Sequence, residues 1–212
     1  MSPTVTAARF FTGSATPVLR GDGLVLRPWR TDDAPAIMRA FADPGIRHWH
    51  LLWIGDRQVP AWIQERERRW RDRTGVDWAI ASAQDEGGLL GRIAIHRLVL
   101  AQGLGEVAYW VVPEARGRRI APRALAVLCE WAFGVQRMHR LELAHSTQNP
   151  ASCRVAERAG FTLEGIKRSE LRHGDGWHDM HLHARLADDP RGDEPRQRAD
   201  SVRRPSPTPN DA

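Results

Sequence analysis

Three arginines fall within four residues in Arg116-Gly117-Arg118-Arg119-Ile120-Ala121, between an apolar strand, Val107–Val112, and an amphipathic helix that begins near Pro122. The first N–H groups of a helix lack intrahelical acceptors, and the helix dipole adds partial positive charge at the same end. A basic turn that empties into such an end is an anion site, and guanidinium groups suit phosphate oxygens. Pro122 fits the first helical position because the N–H it lacks would be unpaired there anyway. The ligand implied by these residues is a phosphate or pyrophosphate. A second run, Asn149 to Phe161, carries its own punctuation: Asn149 as N-cap, Pro150 at the first position and Gly160 as the stop. Ser152 precedes Val155 by three residues and shares the inward stripe with Val155, Ala156 and Ala159. Its hydroxyl either donates to something held in the core or serves only its own first turn.

The elements that must position these groups follow from periodicity and breakers. Gly23–Trp29 alternates as a strand, and Thr31-Asp32-Asp33 caps a helix from about Ala34 to Ala42, which Asp43-Pro44-Gly45 stops. Trp62, Ile63, Arg66 and Trp70 recur at helical spacing within Val59–Arg73. Val76–Ala83 and Leu89–Leu100 read as a hairpin across Asp85-Glu86-Gly87-Gly88, and Glu106–Val112 as the next strand. The helix Pro122–Phe133 buries Ala124, Leu125, Leu128 and Ala132, and Gly134 ends it. Arg140–His145 returns as a strand, the Asn149 helix follows, and a hairpin from Phe161 to Leu186 closes the order β-α-α-β-β-β-α-β-α-β-β. The fold class is therefore α/β in the broad sense, a mixed α+β sheet flanked by helices.

A chain of 212 residues suits one domain with tails: a flexible segment 1–17, a folded domain 18–187 and a disordered tail 188–212, which is nearly devoid of apolar residues. No signal or membrane-spanning run is present, so a cytoplasmic protein without membrane contact is expected. Lys167 is the sole lysine, and arginine carries the net charge of +5. The tail holds six acidic and five basic residues from Asp188 on, so the excess belongs to the folded part. It reads as a solvated arginine-rich surface or as steering of an anionic cosubstrate. No zinc-finger, RNP or basic-zipper pattern occurs, and nucleic acid is not an expected partner. Cys129 and Cys153 lack CxxC spacing and read as reduced packing residues.

From about Gly23 to Leu186 the chain resembles the Gcn5-related N-acetyltransferase (GNAT) superfamily, in its RimJ/RimL-like branch of ribosomal-protein alanine N-acetyltransferases. That family's phosphate loop reads Gln/Arg-x-x-Gly-x-Gly/Ala, with Arg116 and Ala121 at its ends here and Arg119 where glycine usually stands. Arg119 is expected to keep a helical conformation and to turn its side chain outward or onto a phosphate. Asn149-x-x-Ser152, Gly160-Phe161-x-x-Glu164-Gly165 and Gly174-Asp175-Gly176-Trp177-x-Asp179 match the later signatures in order. The resemblance implies the GNAT fold, a splayed mixed sheet, and acetyl-CoA as cosubstrate. It places the pyrophosphate at Arg116, Gly117, Arg118, Arg119, Ile120 and Ala121, the pantetheine arm along Trp110, Val111 and Val112, and Asn149 and Ser152 beside it.

Acetyl transfer to an amine needs a proton acceptor, stabilisation of the carbonyl oxygen and a donor for the departing thiolate. Many relatives use a tyrosine for the last task, and Tyr109 is the single tyrosine, in the strand before the loop. Ser152 is taken as the thiolate partner, in keeping with its role in that branch. Glu106 starts the central strand on the face of Ala108 and Trp110 and is taken as the base, with Glu170 and Asp179 as the other candidates. His48 and Trp49, with His50 and Trp53 beside them, follow the first helix and either line an acceptor pocket or pack on the core. Asp179, His181 and His183 alternate onto one face of the last strand but fall short of a ligand set, so no metal is expected. The acceptor is expected to be a protein or peptide N-terminal α-amino group, with a homodimer left open. Acetylation or succinylation of a small amine, such as an antibiotic or polyamine, is the alternative within enzymes. A non-catalytic acyl-CoA sensor or nucleic-acid-binding domain is the alternative outside them, and the presence of Ser152 and Glu106 argues against it.

Overall fold

The computed structural model describes residues 13, 15–50, 55 and 58–189. The expected loose N-terminal segment and tail fall largely outside these residues, and so does Trp53. Two short strands, β1 (Leu19–Gly21) and β2 (Leu24–Arg27), open the chain. Three helices follow: α1 (Ala34–Ala42), α2 (Pro44–Trp49) and α3 (Val59–Arg71). A meander of β3 (Val76–Ser82), β4 (Gly91–Val99) and β5 (Leu104–Val111) leads to α4 (Ile120–Cys129), β6 (Arg140–Ser146) and α5 (Pro150–Arg158). A long hairpin of β7 (Thr162–His173) and β8 (Gly176–Leu186) completes the fold. The strands form one sheet in the order β1-β2-β3-β4-β5-β6-β8-β7, antiparallel throughout except for the parallel β5–β6 pair.

Register assigns the two faces of the sheet. Trp110 opposes Arg92, which opposes Ala79, so these three share one face, and Trp78, Ile93 and Tyr109 share the other. On the first face Trp29, Phe41, Trp62 and Trp110 pack mostly edge to face, with ring centroids 4.9–6.2 Å apart. Below them lie two buried ion pairs, Arg27 with Asp33 and Arg92 with Asp77, and Trp29 Nε1 donates to Asp77 at 2.9 Å. On the second face α4 buries Ala124, Leu125 and Leu128. Truncating Leu125, which is fully buried, would cost about 2–5 kcal/mol.

Two boundaries differ from the sequence reading. The phosphate-loop helix starts at Ile120, two residues earlier than Pro122, and its last turn widens into a π-helical segment, Glu130–Val135, that contains Gly134. Gln136 N–H reaches back to the Trp131 carbonyl at 3.0 Å, and the Trp131 ring packs edge-on over Trp78 at 5.2 Å. Asp43-Pro44-Gly45 ends α1 but also begins α2: the Asp43 side chain accepts from Ile46 N–H at 2.8 Å. The same residue types that stop one helix cap the next.

Candidate active site

β5 and β6 pair over three residues only, Leu104↔Arg140, Gly105↔Leu141 and Glu106↔Glu142. Beyond Glu106 the strands diverge, which bears out the expected splay. The divergence leaves backbone polar groups along 107–111 and 143–146 facing a cleft, available to a ligand amide. Two adjoining cavities of about 420 Å³ each fill it. Trp49, His50, Tyr109, Asn149 and Ser152 border both.

The first cavity runs over the N-terminus of α4. Trp110, Val111, Arg116, Gly117, Arg119, Ile120 and Ala121 line it. Arg118, exposed, and Val112 are not among its lining residues. Val112 N–H instead donates to the Leu90 carbonyl at 3.0 Å, on the β4 side. Arg119 departs from expectation: its φ of +56° and ψ of +26° put it in the left-handed region, the conformation of the glycine it replaces. The turn needs that geometry to swing the chain into α4, so the arginine accepts a conformation that costs an L-residue about 1–2 kcal/mol. Gly117 also has positive φ, +76°, and nothing lies within 4 Å of where a Cβ would stand. Arg116 is tied across the cleft: its guanidinium bonds Asp43 at 2.5 Å, and Nε reaches the Val111 carbonyl at 3.4 Å. Burial alone would raise the Asp43 pKa, but the hydrogen bond from Arg116 and the Ile46 N–H hold it below the ordinary value.

Where the cavities meet, Tyr109 donates its hydroxyl to Ser152 Oγ at 3.2 Å. Asn149 Oδ1 caps α5 by accepting Ser152 N–H at 3.1 Å, which fixes the serine at the cleft wall. Burial pushes the Tyr109 phenol up to about 12, so it stays protonated at neutral pH. The position of Tyr109 in the strand before the loop gives no sign of this contact, which joins residues 43 apart in the chain.

The second cavity is walled by charge. Arg66 and Arg69 come from α3, Arg92, His96 and Arg97 from β4, and Glu106 from β5. Arg66 stacks 4.6 Å from the Trp62 ring centre, and both Arg66 and Arg92 look onto the buried Asp77. Burial raises the Glu106 pKa, and Arg97, 3.4 Å away, works against that rise. His96 is pushed down to about 4 by burial and then by Arg92, Arg69 and Arg97. His50 is pushed to about 4 by burial and Arg92. Both rings are therefore neutral at ordinary pH. Trp49 reaches this cavity, whereas His48 sits behind it, stacked among Trp49, His173 and His178. Glu170 pairs with Lys167 at 2.8 Å and Asp179 accepts Ser169 N–H at 2.8 Å, and neither lines the cleft.

No helix among the described residues is long and apolar enough to cross a membrane. The chain is 32% identical over 104 residues to the ribosomal-protein-serine acetyltransferase of Escherichia coli, covering 49% of this chain and 58% of that one. Its fold matches Mycobacterium smegmatis RimJ, solved with a CoA disulfide, at a TM-score of 0.71 and 24% identity, over 82% of this chain and 87% of that one. Spermidine N-acetyltransferase from Vibrio cholerae, solved with CoA and spermine, matches at a TM-score of 0.70 and 17% identity, over 80% and 98%. The acetyltransferase (GNAT) domain model matches residues 23–162, from the edge of β2 to the first residue of β7, and so takes in the basic turn, the splay and the hydroxyl pair. On that match the chain belongs to the GNAT acetyltransferase family and is an acetyl-CoA-dependent N-acetyltransferase.

Proposed function

We propose that this enzyme acetylates the N-terminal α-amino group of a protein or peptide whose first residues include acidic side chains. The charge of the acceptor cavity carries this reading. Four arginines, Arg66, Arg69, Arg92 and Arg97, face it against two carboxylates, Glu106 and the buried Asp77. Such a wall repels a polyamine and attracts a carboxylate-bearing chain. The ribosomal-protein relative and the spermidine enzyme stand on opposite sides of this choice, and the arginines favour the first.

The cosubstrate supplies a thioester-activated acetyl group. Arg116, Gly117, Arg119, Ile120 and Ala121 suit its pyrophosphate, because the left-handed turn lets backbone approach closely and the start of α4 offers N–H donors. The open edge of β5 at Trp110 and Val111 suits its amides. Glu106, with its raised pKa, takes the proton from the incoming ammonium and leaves a neutral amine. Ser152 gives its hydroxyl proton to the departing sulfur at the junction of the cavities, and Tyr109, which stays protonated and donates to Ser152 Oγ, replaces it. Two protons leave the nitrogen, one as Glu106 neutralises the ammonium and one as the tetrahedral adduct collapses to the amide. One of them is made up at the sulfur and the other goes to solvent, so the reaction releases one net proton.

The test is an acceptor screen that reads released thiol. Peptides with aspartate or glutamate at their second to fourth positions should outrun alanine-substituted versions, and spermidine should be poor. If kcat/KM for spermidine or an aminoglycoside exceeds that for every acidic peptide, the peptide assignment fails.

A further inference from the structure

A second cluster of donors lies beneath the first turn of α5. In the β6–β8 register His145 stands directly opposite His181, and His183 follows two residues further along β8 on the same face. Cys153, next to Ser152 on α5, comes down onto them from above. One donor atom from each of these four residues lies within 4.8 Å of every other. His145 and His183 are buried, and His181 and Cys153 are half-buried.

His145 Nδ1 lies 2.8 Å from the Ser146 carbonyl, which must receive a proton from that nitrogen. The tautomer is thereby fixed, and Nε2 is left as a bare lone pair. That Nε2 is buried with no hydrogen-bond partner, and so is His181 Nδ1. His173 also has one ring nitrogen on a backbone carbonyl and the other buried without a partner, but among the described residues only in this cluster do such rings converge with a thiol. Buried ring nitrogens ordinarily find partners, and leaving two unpaired in one cluster costs free energy that a ligand would recover. A backbone carbonyl holding the far nitrogen of an imidazole is also the arrangement that orients histidine toward a metal. His183 Nε2 meanwhile lies 3.8 Å from Cys153 Sγ, so a third ring and the thiol already share the same space.

We infer that His145, Cys153, His181 and His183 bind a single zinc-class divalent cation. Three imidazoles and one thiolate form a closed tetrahedral set for zinc, whereas magnesium and calcium require oxygen donors. Zinc–ligand bonds of about 2.0–2.3 Å bring tetrahedral donors closer together than 4.8 Å, so side-chain rotation must tighten the cluster. On binding, the Cys153 thiol gives its proton to solvent while the three rings stay neutral. Entry is from the exposed side of α5, where Glu157 Oε1 stands 3.6 Å from Sγ. Asp179, which shares strand alternation with the two β8 histidines, is exposed and takes no part, since it accepts from Ser169 N–H. The bound ion would pin the α5 turn to β6 and β8, one residue from the hydroxyl pair.

The experiment uses untagged full-length protein, stripped with a chelator and titrated with zinc against a chromogenic competitor. One equivalent should bind, and the melting temperature should rise with zinc. Cobalt(II) in its place should give tetrahedral visible bands together with a thiolate charge-transfer band. Cys153→Ser should abolish the charge-transfer band, and His145→Gln with His183→Asn should abolish stoichiometric binding and the thermal shift. His173→Gln, in the separate ring cluster, should change neither. Failure of the wild type to bind one equivalent overturns the proposal. So does a thiolate band that persists in Cys153→Ser, a change too small to threaten folding.

Discussion

The two halves of the cleft are built by different means. The cosubstrate half comes chiefly from one contiguous run, Trp110 to Ala121, joined by α5 and by Gly45 to His50, and much of what it offers is backbone. The acceptor half is assembled from α2, α3, the strands β4 to β8 and the start of α5, and what α3, β4 and β5 offer it is side-chain charge. The first depends on dihedral angles and a helix end, so its function is tied to the fold itself. The second depends on side chains, of which Arg97 is exposed and Arg69 half-buried while Arg92 is held in a buried pair with Asp77. A scaffold divided this way can keep one donor and change acceptors.

The strongest test of that division lies at the junction. Tyr109→Phe should lower kcat by about 10²–10³-fold while acetyl-CoA affinity, read by isothermal titration, stays nearly constant. Ser152→Ala should follow in the same direction. A matching loss of cosubstrate affinity would mean that the two halves are not separable. Glu106→Gln should cost about 10²-fold in kcat/KM at neutral pH, with a sign that identifies the group. A carboxylate accepts a proton only when ionised, and burial raises the Glu106 pKa. Wild-type kcat/KM should therefore fall as pH drops through a value above that of an ordinary glutamate, and this limb should vanish in the variant. His50 and His96 titrate near 4 and would give a limb there instead.

Smaller effects separate the halves further. Arg69→Glu should raise KM for an acidic peptide about tenfold and improve spermidine, with acetyl-CoA binding unaltered. Equal loss with every acceptor would show that the arginine only supports packing. In the loop, Gly117→Ala should destabilise the fold by about 1 kcal/mol by denaturant titration, since alanine resists positive φ. Arg119→Gly should be neutral or stabilising by at most about 1 kcal/mol, because it relieves the same strain at a residue that already bears it.

The contrast also explains what could be read in advance. Most of the order of strands and helices and the loop were legible because periodicity, Asn149, Pro150 and Gly160 mark them locally, whereas the splay came only with the family resemblance. The left-handed Arg119 was not, since propensity favours right-handed backbone at arginine and only the turn's closure overrides it. Helix α2 was hidden because Asp43-Pro44-Gly45 reads equally as an end and a beginning. Arg66 shares the stripe of Trp62, Ile63 and Trp70, but nothing in the sequence joins it and Arg69 to Arg92 and Arg97 until β4 brings them beside one another. Tyr109 and Ser152, like His145 and Cys153 with their β8 partners, meet only through tertiary pairing.

The Arg116–Asp43 bond gives the two halves a common account with one withdrawal. An anion arriving at the loop competes with Asp43 for a single guanidinium. Asp43 is also the cap that starts α2, the helix ending in Trp49 at the acceptor wall. The carboxylate that caps α2 and a phosphate at the loop are thus neighbours on one guanidinium. A single side chain therefore joins the cosubstrate loop to the helix that walls the acceptor, and the two halves of the cleft share a hinge point rather than merely a border.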